Sequence, residues 1–231
     1  MDVTSKVPHI ILNIEVKEVR KSPPAPFTTS TLQQAAGSQL NFNTKTTMSL
    51  AQKLYESGFI TYIRTDSCIL SEDFRSAPQG YLQQYNPENI PDKPTQHRNR
   101  SSAQEGHEAI RPTDVKNTPD VLRLKMEGQE FKLYELIWNR ALASQCKPAL
   151  MERSLVKVAA GEWQFLLKGN RILQEGYVKY WEGLGEEILL PELSIGQELD
   201  LEKVRWSKHQ TEPPKRFTEA SNACSNDCSA S

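Results

Sequence analysis

Hydrophobic and polar positions divide the chain into a strand-like opening, a helical middle and a strand-like return. Ile10, Leu12, Ile14 and Val16 alternate with Ile11, Asn13, Glu15 and Lys17, and a period of two predicts a half-buried strand. Ser22-Pro23-Pro24-Ala25-Pro26 ends it, because proline has no N–H to give to a ladder and restricts the residue before it. From Phe27 to about Ser144 the spacing turns helical. Residues 28–36 predict a short helix with hydroxyl residues at its start and Gly37 as a left-handed cap. Met48, Ala51, Leu54 and Tyr55 give a second helix over residues 46–57, closed by Gly58. Residues 59–63 read as a brief extended segment and residues 86–100, with three prolines, as a loop. The strongest stripe is Phe131, Tyr134, Ile137, Trp138, Ala141 and Leu142, a helix over residues 129–143 ended by Lys147-Pro148. Beyond Pro148 short strands return, with turns expected at Ala160-Gly161 and Gly169-Asn170 and a further strand through Leu199, Leu201 and Val204.

A helical block between two β stretches predicts an α+β protein in which a helical domain is inserted into a strand-built element. The expected boundaries are 1–22 and 148–176 for the β part, 23–147 for the helical part, 177–221 for a further region and 222–231 for a tail without periodicity. No apolar run approaches the ~20 residues that a membrane helix needs, and the first residues lack a basic start followed by an apolar stretch. Four cysteines among 231 residues are too few for a disulfide scaffold. A cytoplasmic protein with no membrane partner is therefore expected. The net charge of -1, from 28 basic and 29 acidic residues, argues against a free-standing non-specific nucleic-acid binder, which advertises a basic excess. Locally the balance differs: Arg98, Arg100, Arg111, His97 and His107 crowd residues 96–111 against Glu105 and Glu108.

Chemistry concentrates in Gly58-Phe59-Ile60-Thr61-Tyr62-Ile63-Arg64-Thr65-Asp66-Ser67. On an extended backbone residues i and i+2 share a face, so the Tyr62 phenol and the Arg64 guanidinium can converge on one anion. A phenol titrates near 10 and is a poor nucleophile at neutral pH. A fixed cation favours the phenolate and stabilises charge building on phosphate oxygens. The alternative reading is a half-buried tyrosine beside a surface arginine. A second cluster, Gln104-Glu105-Gly106-His107-Glu108-Ala109-Ile110-Arg111-Pro112-Thr113, has no second histidine at a zinc-protease offset. His107 and Arg111 suit donation to phosphate, against the alternative of a surface loop.

Together these segments resemble bacterial type IA DNA topoisomerases. Pro23-Pro24-Ala25-Pro26-Phe27-Thr28-Thr29-Ser30-Thr31-Leu32-Gln33-Gln34-Ala35-Ala36 is similar to the opening of that family's active-site tyrosine domain. Thr47-Met48, Ala51-Gln52, Leu54-Tyr55-Glu56 and the run from Gly58 resemble the nucleophile segment. The His107-Glu108-Ala109-Ile110-Arg111-Pro112-Thr113 signature follows in the right order, and Glu212-Pro213-Pro214-Lys215-Arg216-Phe217-Thr218-Glu219-Ala220-Ser221 resembles the start of a further block. The resemblance implies ATP-independent breakage, passage and rejoining of one DNA strand through a 5′-phosphotyrosyl intermediate, relaxing negative supercoils. Tyr62 and Arg64 would be catalytic. His107 and Arg111 would contact DNA, and Gln52, Glu56, Thr61 and Asp66 would support the nucleophile's turn at the DNA face. It further implies a winged-helix-like nucleophile domain set in a β arch, within a multi-domain toroid.

The family uses Mg2+ on an acidic Asp-x-Asp-x-Glu run that has no counterpart in this sequence. Asp200-Leu201-Glu202 reads as the solvated face of an alternating strand, and Cys224 and Cys228 have no second pair for zinc. The expectation is a truncated topoisomerase piece that binds single-stranded DNA, is not competent alone, and draws on missing domains in trans. Two other readings stay open: a non-enzymatic DNA-binding module with salt-dependent phosphate contacts, and an inactive remnant.

Overall fold

The computed structural model describes residues 7–99, 107–126, 128–203, 205, 207–214 and 216. Expectations placed on Arg100, on residues 104–106, on Val204, on Cys224 and Cys228 and on the tail lie outside these. The architecture mixes helices and sheet in two compact units. One comprises Met1–Lys21, Pro148–Glu175 and Gly183–Pro214; the other comprises Ser22–Lys147, Gly176–Glu182 and Lys215–Ser231. No helix among the described residues is long and apolar enough to cross a membrane.

The first unit holds strands β1 (His9–Lys21), β2 (Ala149–Ala160), β3 (Trp163–Gln174) and the two-residue β4 (Glu198–Leu199). They form one sheet in the order β3-β2-β1-β4, antiparallel throughout. β1 departs from the simple alternation of its sequence. Ile11, not Ile10 or Leu12, is buried with Val156 and Val158, and the next residue on that core is Ile14. A bulge between Ile11 and Asn13 supplies the reason: one extra residue on one strand flips the alternation beyond it. Gly161, at φ +62°, turns β2 into β3. Gly169-Asn170 is not a turn. Both residues lie inside β3, where a Cβ on Gly169 would stand 2.8 Å from Leu190 Cγ, so glycine admits the close passage of residues 188–190.

The helical unit contains α1 (Thr29–Leu40), α2 (Thr44–Glu56), α3 (Glu72–Tyr85), the single turn α4 (Pro119–Leu122) and α5 (Gly128–Ala143). Thr28 and Thr31 form a reciprocal capping box on α1. The helix runs through Gly37 and stops at Asn41, whose φ of 57° makes it the left-handed residue. α3 occupies a stretch in which Pro78 and Gly80 conceal a helix. Ser71 caps it, Glu72 and Asp73 sit in its first turn, and Phe74, Pro78 and Leu82 bury one stripe. α5 forms the floor of the unit, with Leu133, Tyr134, Leu136, Ile137 and Trp138 all buried. Its polar atoms are paired as well: Trp138 Nε1 donates to Val115 O at 3.1 Å.

Candidate active site

The site is built on the end of α2. Gly58 takes φ +76° and its amide donates to Tyr55 O, while the Phe59 amide donates to Leu54 O, both at 2.9 Å. This double closure satisfies carbonyls that the helix leaves open and turns the chain sharply out of it. Thr113 secures the turn, its hydroxyl donating to Gly58 O at 2.7 Å and its amide to Phe59 O at 3.0 Å.

The outgoing segment is pinned from two sides. Ile60 makes an isolated antiparallel bridge with Pro112. The Thr61 amide donates to Arg111 O at 2.9 Å. Its hydroxyl donates to Ala109 O at 2.7 Å and accepts from the Arg111 amide at 3.0 Å. From the α1 side, Thr29 Oγ1 donates to Ile63 O at 2.7 Å and accepts from the Thr65 amide at 2.9 Å. The segment is therefore bent at Ile63-Arg64 rather than running on as a strand. From Tyr62 onward exposure alternates: Ile63, Thr65 and Ser67 are buried, and Tyr62, Arg64 and Asp66 are exposed.

Tyr62 is 50% exposed. Its ring meets Tyr55 edge-on, with centroids 5.4 Å apart at 68°, an arrangement that aromatic quadrupoles favour. One face of the phenol is thus held by α2 while its other side is open. Gln52 Nε2 donates to Glu56 Oε1 at 2.7 Å along the same helix, so both lie on the helix that carries Tyr55. His107 is exposed and stands two residues before Ala109, which places its Cα within ~7 Å of the residue that Thr61 grips. Among the sequence candidates, Thr61 is the one whose bonds fix the turn directly, and Asp66 is exposed.

Arg111 is engaged within the protein. Its Nε donates to Glu108 Oε1 at 2.7 Å, its Nη2 to Glu108 Oε2 at 2.9 Å and its Nη1 to Pro112 O at 2.9 Å. The guanidinium also lies 4.2 Å from the Phe74 ring centroid. A guanidinium engaged in this way braces the segment that carries it. Burial pushes the Glu108 carboxyl up, but the Arg111 hydrogen bond, the Ser71 amide at 2.7 Å and the Arg111 charge together hold it below the ordinary value. Sequence reasoning missed Glu108 as this brace and Tyr55 as the neighbour of Tyr62. The i, i+3 spacing of Glu108 and Arg111 was the available signal for the first. Among the described residues no group of three or more His, Cys, Asp or Glu could hold a metal ion.

Comparison with known proteins adds what geometry alone does not. The family model described as DNA topoisomerase matches residues 2–221. DNA topoisomerase 1 of Haemophilus influenzae is 40% identical over 216 residues, covering 92% of this chain and 25% of that protein. DNA topoisomerase 1 of Salmonella typhimurium is 40% identical over 225 residues, covering 96% of this chain and 26% of that protein. The solved structure of full-length topoisomerase I from Thermotoga maritima superposes with a TM-score of 0.82 at 30% identity, covering 98% of this chain and 38% of that one. The chain thus spans about a quarter of the length of the curated relatives it matches.

Proposed function

The chain belongs to the DNA topoisomerase family, and on that premise we propose that it carries the nucleophile for breaking and rejoining one strand of DNA. In this reading the Tyr62 oxygen attacks a backbone phosphorus. A bond from phosphorus to the phenolic oxygen forms, the bond to the 3′ oxygen breaks, the phenol gives up its proton to solvent and the departing 3′ oxygen takes one up from solvent, and the strand is left as a 5′-phosphotyrosyl ester with a free 3′-hydroxyl. The ester keeps the energy of the diester, so the reverse attack by the 3′-hydroxyl reseals the strand without ATP. Arg64 holds the phosphate and offsets charge on its oxygens as the transition state forms. His107 donates to DNA close by, Asp66 lies on the DNA-facing side, and Gln52 and Glu56 steady the helix under the site. Arg111 is a positioning residue that acts through Glu108 and the backbone of Thr61.

One observation carries this reading: Tyr62 and Arg64 are both exposed on a turn whose backbone is clamped by Thr61 and Thr29. A phenol held open on a clamped turn, with a guanidinium two residues along the chain, suits such an attack. At the larger scale, the reading takes the helical unit as a winged-helix-like domain, the strands as a β arch, and both as parts of a toroid completed by other domains, in a cytoplasmic protein associated with the nucleoid. In the family Mg2+ is bound by clustered acidic oxygens; the described residues do not fit that group, and no step above runs through it. Relaxation of supercoiled DNA is accordingly not expected of this chain alone.

The test separates the nucleophile from everything else. A single-stranded oligonucleotide with a sulfur in place of the bridging 3′ oxygen releases a thiolate, which leaves without a proton donor. Incubation with the 231-residue chain is expected to give a protein-linked strand that survives denaturation, and Tyr62→Phe is expected to abolish it. A binding module without chemistry would give no linked strand with either protein, and that result would overturn the proposal.

A further inference from the structure

The backbone at Arg64 is defined by one side chain from a helix distant in sequence. Two peptide planes meet at the Arg64 Cα. One joins Ile63 to Arg64 and includes Ile63 O; the other joins Arg64 to Thr65 and includes the Thr65 amide. Each plane is rigid, so the soft rotations between them are φ and ψ of Arg64. Thr29 Oγ1 bonds to both planes, donating to Ile63 O at 2.7 Å and accepting from the Thr65 amide at 2.9 Å. A hydroxyl has one hydrogen and two lone pairs, and Ile63 O is its shorter contact. Thr65 O, 3.0 Å from the same oxygen, receives the Thr29 amide at 2.9 Å.

Thr29 is itself firmly mounted. It is the first residue of α1, where an amide has no partner within the helix, and the Thr28 and Thr31 capping box sets the helix start. Just upstream, the Ile110 amide donates to Phe27 O at 2.8 Å and Arg140 Nε to Ala25 O at 2.6 Å. The Arg140 guanidinium also lies 5.1 Å from the centroid of the buried Phe27 ring. Arg64 has the opposite character. It is exposed and makes no ion pair among the described residues. The backbone therefore sets the direction in which its side chain leaves the turn. Tyr62 differs again, because the bonds of Thr29 end on Ile63 O and on Thr65, and on neither peptide plane that flanks Tyr62.

We propose that Thr29 is a positioning residue for Arg64: its hydroxyl fixes both peptide planes at the Arg64 Cα and so aims the guanidinium at the phosphate that Tyr62 attacks. The assignment rests on the reading in which Arg64 offsets charge on that phosphate. It adds a residue from outside the segment that carries the two catalytic groups. Misplacing a catalytic group by about 1 Å costs on the order of a hundredfold in rate, so the loss of one hydroxyl is enough to matter. A hydroxyl that only held the turn together would serve Tyr62 and Arg64 alike, and the two roles separate in their dependence on Arg64.

The experiment measures how fast the sulfur-bridged oligonucleotide, at saturating concentration, becomes linked to the 231-residue chain. Thr29→Val keeps the shape and removes the hydroxyl, and is expected to slow linkage by roughly tenfold to a hundredfold. Thr29→Ser returns the hydroxyl and is expected to recover most of the rate. The deciding comparison is made in Arg64→Ala, where no guanidinium remains to be aimed. There Thr29→Val is expected to cost no further rate. Each variant is assayed below its own thermal melt, and Thr29→Ala makes the same comparison should valine compromise the fold. Linkage at one rate in the unaltered chain and in Thr29→Val would overturn the assignment and leave the Tyr62 reading standing. So would a Thr29→Val loss of equal size with and without Arg64, the mark of a turn that is merely held together. No linked strand from the unaltered chain would overturn the Tyr62 reading and this assignment with it.

Discussion

Thr61 is held at three points, through its amide, through a hydroxyl that donates to Ala109 and through the same hydroxyl accepting from Arg111. Thr61→Val keeps the shape and removes the hydroxyl, leaving a part-buried carbonyl and amide without their partner. A loss of about 1–3 kcal/mol is expected in denaturant unfolding, with little change for Asp66→Asn on the exposed side. Acid provides a second test at this scale. Glu108 lies below its ordinary 4.5 in the fold, so its contribution is present above that pH and is lost as pH falls through the lowered folded value. His97 lies below its ordinary 6.5, so the unfolded chain takes up the proton first and stability begins to fall as pH drops through about 6.5. Unfolding curves across pH are expected to show both losses, with Glu108→Gln flattening the lower one and His97→Gln the upper one. Tyr62 and Arg64 stood out in the sequence because an i, i+2 pair shares a face. The pairing of Arg111 with Glu108 was not legible, because residue type alone does not show which partner a guanidinium takes.

At the scale of elements, two glycines do opposite work. Gly58 sits at φ +76° with nothing near its would-be Cβ, whereas Gly169 has ordinary backbone and Leu190 at 2.8 Å. Gly58→Ala is expected to lose about 1 kcal/mol through backbone strain. Gly169→Ala is expected to lose about 1–3 kcal/mol through overpacking, recovered in part by Leu190→Ala. Thermal melts of the three variants check both, and only the second loss should respond to the change at Leu190. The helices over 28–36, 46–57 and 129–143 were legible because apolar spacing and end signals agreed. α3 was hidden by Pro78 and Gly80, which lower local propensity while Phe74, Pro78 and Leu82 still bury a stripe; packing overrode propensity. The β1 bulge was hidden too, since a single extra residue at Ile11/Asn13 leaves the sequence alternation looking regular. Thr113, fifty-five residues from Gly58, marks what local patterns do not carry: the site is closed by contacts distant in sequence.

For the whole molecule, sequence and structure converge on one family, while the chain spans about a quarter of the curated relatives it matches. What this chain itself offers is a sheet unit, a helical unit inserted in sequence between β1 and β2, and in the latter a clamped turn on which Tyr62 and Arg64 are both exposed. The decisive measurement locates the atom that takes the DNA. The sulfur-bridged oligonucleotide is reacted with the chain, the linked protein is digested, and the peptide bearing the nucleotide is sequenced by mass spectrometry. The nucleotide is expected on the Tyr62 phenol alone, in a 5′-phosphoryl linkage. A label on Tyr55, on Cys68 or on any other side chain would contradict the assignment, as would a linked strand that persists in Tyr62→Phe.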